Sequence, residues 1–214
     1  MEILKSILDF VLHIDVHLSE IISNYKVWTY LILFLIIFAE TGLVVTPFLP
    51  GDSLLFAAGA LIAKGDTGLD IYILSILLCI AAILGNTTNY YLGNYFGPKV
   101  FKEGNKILKL EYYEKTNIFF SKHGGKAIIF SRFMPIFRTI APFVAGIGKM
   151  PLGRFTYFNI VGGLAWIVSF LFIGYFFGGI PIIKQNFTIV IIVILILTAL
   201  PAVFAAISVN KHKD

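Results

Sequence analysis

The stretch FSRFMPIFRTIAPFVAG, Phe130 to Gly146, constrains the fold more than any other part of this sequence. It is apolar, yet it holds Arg132, Arg138, Pro135 and Pro142. Pro135 removes a backbone donor and pushes Met134 out of the helical region, so 127–149 cannot form one straight helix. Broken backbone survives at membrane depth only where protein or trapped water covers it. The segment therefore predicts a re-entrant hairpin over 127–150.

The membrane setting follows from composition. The chain is 58% hydrophobic and 14% charged, against roughly 25% charged in a typical soluble domain. A soluble domain of 214 residues would have to expose much of that apolar content, so the expected class is an all-α polytopic membrane protein. MEILKSILDF opens with an acid at position 2 and lacks the basic, apolar and small-residue order of a cleaved signal peptide. Cys79 is the only cysteine and excludes a disulfide framework. The net charge of +5 does not point to nucleic acid, because the lysines cluster in loops beside apolar runs.

Residues 1–26 are predicted to form an amphipathic N-terminal helix, with Leu4, Ile7, Leu8, Val11, Leu12, Leu18, Ile21 and Ile22 on one face. His13 and His17 are spaced i, i+4, but no third ligand is near, so no metal is expected. Residues 27–39 are apolar but too few to span, since a span takes about 20 residues. Glu40 then interrupts, and Pro47, Pro50, Gly51 and Asp52 precede a second short run at 53–63. The prolines impose a break on this segment too, and 27–63 is predicted as a second hairpin. Residues 69–92, 155–178 and 187–209 read as spans, and 181–214 as the last transmembrane helix and a cytoplasmic tail. The segment 98–126 reads as a loop or surface helix, with lysines at 99, 102, 106, 109, 115, 122 and 126. The positive-inside rule places it, Arg154 and the tail in the cytoplasm.

The two halves repeat one another. FLP (48–50), FAAG (56–59) and GNYFG (93–97) recur in order as FMP (133–135), FVAG (143–146) and GYFFG (174–178). Interrupted apolar segments in corresponding positions point to a transporter built on an inverted repeat, with the hairpins entering from opposite faces. The two G-x-x-x-G sites suit close helix packing and permit a homo-oligomer without requiring one.

The breaks also govern the charges. Arg132 and Arg138 are six apart, and Glu40 and Asp52 twelve apart. On an unbroken helix of about 100° per residue, each pair would diverge by about 120°. A break between the members lets both turn toward one cavity. A lone charge at mid-membrane costs roughly 2.5–3.5 kcal/mol on insertion scales, so pairing is expected. Glu40, Asp52, Arg132 and Arg138 are thus the candidate substrate-binding residues, with Glu40 and Asp52 as candidate proton carriers. Arginine suits phosphate because its fork engages two oxygens at once. Asn86, Asn89, Tyr90, Ser131 and Thr139 are candidate cavity-lining residues.

Glu40 followed by FLPGDSLLFAAGALIA, then HGGKAIIFSRFMPIFRTIAPFVAGIGKM, then F-x-x-x-N-x-x-G-G-x-x-W at 155–166, closely resemble the DedA family of membrane proteins, within the SNARE-associated or VTT-domain superfamily. The resemblance covers about residues 27–180. It implies two re-entrant hairpins entering from opposite faces, residence in the bacterial inner membrane, and lipid translocation. Undecaprenyl phosphate or a related anionic lipid is the implied substrate, with proton-motive force involved; eukaryotic relatives resemble phospholipid scramblases. The family's essential acids match Glu40 and Asp52, and its essential arginines match Arg132 and Arg138. No cofactor is implied, and the expected partners are a polyprenyl phosphate or phospholipid substrate and membrane lipids. The alternative is a small cation or drug/proton antiporter, in which the acids would bind the cation. An enzyme is not expected, because His13, His17, His123 and His212 lie outside the apolar core and no K-x₆-R-P, H-E-x-x-H or G-x-S-x-G pattern is present. A structural protein acting indirectly on the envelope is a further class.

Overall fold

A computed structural model of the chain describes residues 14–43, 51–65, 67–96, 114, 117–118, 120, 123–194 and 196–198. All regular structure among the described residues is helical. The helices are α1 (Ile14–Tyr25), α2 (Trp28–Gly42), α3 (Gly51–Ala63), α4 (Ile71–Phe96), α5 (Ala127–Ser131), α6 (Pro135–Ile147), α7 (Leu152–Phe177) and α8 (Pro181–Gln185), followed by helical residues at 187–194 and 196–198. Residues 1–13 with His13, the prolines Pro47 and Pro50, most of the lysine-rich segment 98–126 and the tail from 199 lie outside the described residues.

Two lengths recur. α3 and α6 have 13 residues each, about 20 Å at 1.5 Å per residue, well short of a hydrocarbon core of about 30 Å. α4 and α7 have 26 residues each, about 39 Å, enough to cross it. Each short helix precedes a long one across a brief turn. Asp70 starts α4: its Oδ1 accepts from the amides of Tyr72 at 2.8 Å and Ile73 at 2.9 Å, which satisfies donors the first turn leaves open.

Sequence and structure agree on where the 127–149 segment breaks. α5 ends at Ser131, and Met134 is extended, with φ −125° and ψ 111°. Pro135 takes the first turn of α6, where its missing N–H costs no helical hydrogen bond. Pro142 lies inside α6 and deprives the Arg138 carbonyl, one turn back, of its helical donor. Glu40 is different from its expected role. It does not interrupt its segment; α2 runs through it to Gly42. Glutamate suits a helical backbone, and its charge is neutralised by a partner described below.

The chain divides into two compact units. The first comprises Met1–Leu35, Pro50–Leu78 and Trp166–Leu197, and the second Ile36–Leu49, Cys79–Ala165 and Thr198–Asp214. In the first, α3 packs on α1 and on the second half of α7. A Cβ on Gly59 would run into the Leu171 carbonyl, and one on Gly174 into the Phe56 carbonyl. In the second unit, α6 packs on the second half of α4. A Cβ on Gly146 would run into the Tyr90 carbonyl, and one on Gly93 into the Phe143 carbonyl. Each unit therefore holds the same reciprocal pair of glycine-to-carbonyl contacts, so close that only hydrogen fits between the backbones.

The faces of α4 are distributed in the reverse of a soluble helix. Ile73, Ile76, Ile80, Leu84 and Tyr91 are exposed, while Ala81, Ala82, Gly85, Asn86 and Asn89 are buried. Ile160, Leu164, Val168 and Phe176 continue this pattern on α7. Large apolar side chains turned outward over small and polar ones turned inward form a lipid-facing surface.

Candidate functional site

The second unit gathers three of the four expected charges. Glu40 on α2 and Arg138 on α6 form an ion pair, with Arg138 Nη2 donating to Glu40 Oε1. Their side chains are 0% and 3% exposed. An acid and a base buried together offset much of the cost that either would incur alone, which is why α2 can continue through Glu40.

Asn89 on α4 braces this pair from behind. Its Nδ2 donates to the carbonyl of Thr41 at 3.3 Å and to that of Thr139 at 2.7 Å. Thr41 follows Glu40 and Thr139 follows Arg138, so one amide ties down the backbone next to both ionic partners. Gly85, one turn earlier on α4, lies against Thr41, where a Cβ would collide with its hydroxyl.

Arg132 has a different environment. It is fully buried, in the break between α5 and α6. Its Nη2 donates to Asn159 Oδ1 at 2.5 Å, to the Asn159 carbonyl at 3.3 Å and to the Ala82 carbonyl at 3.4 Å. All three acceptors are neutral. Its Nε and Nη1 have no hydrogen-bond partner, and no ion pair forms with it among the described residues. Asn159 is itself fixed, donating from Nδ2 to the Ile83 carbonyl at 3.0 Å and to Thr87 Oγ1 at 3.2 Å. Gly162 and Gly163 leave room for the guanidinium: a Cβ on either would lie 3.1 Å from Arg132 Cδ or 3.4 Å from its Nη2, respectively.

Asp52 belongs to the first unit. It lies in the first turn of α3, where a carboxylate suits the positive end of the helix. Its Oδ1 accepts from the indole Nε1 of Trp166 at 2.7 Å. The structure thus brings Glu40 and Arg138 into direct contact, gives Arg132 an amide in place of a carboxylate, and gives Asp52 an indole.

The expected cavity-lining residues separate. Asn86 is buried on α4, and neither atom of its amide has a partner among the described residues. Ser131 Oγ donates to the Ile128 carbonyl at 3.0 Å and closes the last turn of α5. Thr139 contributes its carbonyl to the Asn89 brace. Tyr90 is engaged in packing. Its ring stacks on Phe155 with centroids 4.5 Å apart, in an apolar cluster with Ile128 and Ala145, and its hydroxyl donates to the Met150 carbonyl at 2.5 Å. That arrangement is packing, since the hydroxyl is spent on a backbone acceptor.

Asn159 and Trp166 are the side chains that reasoning from charge alone passes over. Both lie in the F-x-x-x-N-x-x-G-G-x-x-W run, seven residues apart on α7. An asparagine inside an apolar span was the available signal, because a polar amide there needs a partner. Among the described residues no group of histidines, cysteines and acids could hold a metal ion.

Comparison with known proteins places the sequence in a family. The VTT domain matches residues 49–176. The chain is 50% identical to Protein DedA of Escherichia coli K12 over 214 residues, covering 100% of this chain and 96% of that protein. It is 42% identical over 172 residues to the uncharacterized membrane protein ML0287 of Mycobacterium leprae, covering 80% of this chain and 76% of the relative. It is 38% identical over 154 residues to the inner membrane protein YqjA of E. coli K12, covering 72% of this chain and 69% of the relative. No solved structure matches. With a matching domain over more than half its length, a half-identical relative end to end and a lipid-facing helical surface, the chain is a membrane protein of the DedA family.

Proposed function

We propose that this protein carries an anionic, phosphate-bearing lipid across the bacterial inner membrane, a polyprenyl phosphate such as undecaprenyl phosphate being the substrate that its family resemblance implies. One observation carries the reading: Arg132 is fully buried, and its hydrogen-bond partners among the described residues are all uncharged. A buried cation held only by neutral groups is costly. An anionic headgroup supplies the missing charge and can engage the open Nε and Nη1 edge as a fork. The lipid tail needs no protein cover, because it can stay among other tails.

The Glu40–Arg138 pair supplies the switch in this scheme. A proton taken up by Glu40 ends its attraction for Arg138 and frees that guanidinium for phosphate. Asp52, beside Trp166, is the second proton carrier. The matched glycine contacts and the repeated pairing of 13- and 26-residue helices support reading 27–63 and 127–150 as re-entrant hairpins of an inverted repeat, with the lysine-rich segment and the C-terminus in the cytoplasm. The cation antiporter is less suited to the site: a cationic substrate would meet Arg132 unshielded, while Glu40 is already engaged by Arg138.

The test is reconstitution in liposomes with a labelled polyprenyl phosphate, at two values of the pH gradient. The wild-type protein is expected to move the lipid, and faster under the gradient. Arg132→Gln is expected to abolish movement, and Glu40→Gln to remove the dependence on the gradient. Full movement by both variants would reject the scheme.

A further inference from the structure

The Asn86 amide is unusual for a buried group. Its residue is 1% exposed, and both Nδ2 and Oδ1 lack a partner among the described residues. A buried amide in that state costs roughly 1–3 kcal/mol for each unmet group, and native proteins seldom leave one so.

Its position narrows what it is for. In an α-helix, the amide N–H of residue i bonds to the carbonyl of residue i−4, so the Ala82 carbonyl is the helical partner of the Asn86 backbone. That same carbonyl accepts from Arg132 Nη2 at 3.4 Å. Around α4, Asn86 points between two directions already assigned. Ile83 and Thr87 face Asn159, and Gly85 and Asn89 face Thr41 and Thr139. Asn86 therefore lies beside the Ala82 carbonyl that Arg132 meets, and both the Asn86 amide and the Arg132 Nε and Nη1 are buried without a partner among the described residues.

We infer that Asn86 and Arg132 together form a recognition site that selects a phosphate monoester over a phosphodiester. This inference rests on the anionic-lipid reading and deepens it. Arg132 offers only donors, which serve the charged oxygens of either ester. Asn86 offers one donor and one acceptor. The donor can serve a charged oxygen, but the acceptor needs a hydroxyl. A monoester that keeps one proton presents P–OH to Oδ1; a diester has no hydroxyl on phosphorus. A site whose buried acceptor is satisfied by one ligand and stranded by another discriminates strongly between them.

The experiment uses the full chain in nanodiscs of zwitterionic lipid at about pH 6, where an alkyl phosphate still holds its second proton on a good share of its molecules. The probes are a long-chain alkyl phosphate and its methyl diester. The wild-type protein is expected to bind the monoester about tenfold more tightly or better, as one well-placed hydrogen bond to a charged partner implies. Asn86→Leu should lose that preference while keeping diester affinity within about twofold, because Arg132 is untouched. Its unfolding midpoint without ligand should be no lower than wild type, since no protein hydrogen bond is lost. A preference that survives Asn86→Leu, or that is absent from the wild type, overturns the inference and leaves the anionic-lipid reading in place. Binding of neither probe by the wild type removes both. A large fall in stability would mean that Asn86 is bonded within the fold, which also overturns the inference; Asn86→Ser, smaller and still polar, then shows whether the loss follows the hydrogen bonds or the volume.

Discussion

The Glu40–Arg138 pair can be tested as a unit by a double-mutant cycle. Both side chains are almost fully buried and in direct contact. Removing one member of a buried pair costs about 3–5 kcal/mol, because the remaining charge stays in a poor solvent without its partner. Glu40→Gln keeps the length and shape of the side chain and removes its charge. It is expected to lower stability by an amount in that range. Arg138→Met removes the other charge and should cost a similar amount. The double variant loses the attraction but carries no stranded charge, so it should be much more stable than the sum of the two losses predicts. The expected coupling is about 2–3 kcal/mol, at the upper end for contacting groups. The assay is reversible unfolding in mixed micelles, followed by far-UV circular dichroism for each of the four proteins. Transport by the double variant should remain absent, which separates stability from function. A coupling below about 0.5 kcal/mol, the scatter found for independent sites, would refute the claim that these two charges support one another.

Four further outcomes follow from the geometry. Ala at Gly59, Gly93, Gly146 or Gly174 meets a backbone carbonyl and should cost about 1–3 kcal/mol each in unfolding experiments. Gly153→Ala, with nothing within 4 Å of the new methyl, should be neutral or stabilising by up to about 1 kcal/mol. Asn159→Asp places a carboxylate where Arg132 has an amide at 2.5 Å, so it should raise thermal stability and lower anionic-lipid binding by about tenfold or more; a rise in both would contradict the role assigned to Arg132. Lys149, at the C-terminal turn of α6, has a φ of 49°, a region that favours glycine, so Lys149→Gly should raise the unfolding free energy by about 1 kcal/mol.

How much of this was legible from the sequence depends on the range of the interaction. The break before α6 was readable because proline acts on its immediate neighbour, and Met134 adopts the extended backbone that Pro135 demands. The long spans were readable because length and hydropathy are local sums. The pairing of charges was not. Glu40 and Arg138 lie 98 residues apart, and nothing in either segment marks Arg138 rather than Arg132 as the partner. A pattern of four charges predicts mutual neutralisation; the fold instead divides them among a carboxylate, an amide and an indole. The continuation of α2 through Glu40 was hidden for the same reason: glutamate fits a helical backbone, and only its distant partner shows how its charge is tolerated there. Tyr90 lies next to Asn89 and four residues from Asn86, but an aromatic ring stacks where another ring is offered, and Phe155 offers it.

The exchange of partners between short and long helices bears on how the chain is made. α3 is complete early in synthesis, yet the carbonyl and glycine it fits against lie on the second half of α7, beyond Trp166. At about 5–20 residues per second, roughly a hundred residues of further translation separate the two, a wait of some seconds. α6 meets no such delay, because its groove on α4 has already been made. One face of the nascent protein is thus held open while the ribosome works, and a chain cut short before α7 would leave α3 seated on α1 alone.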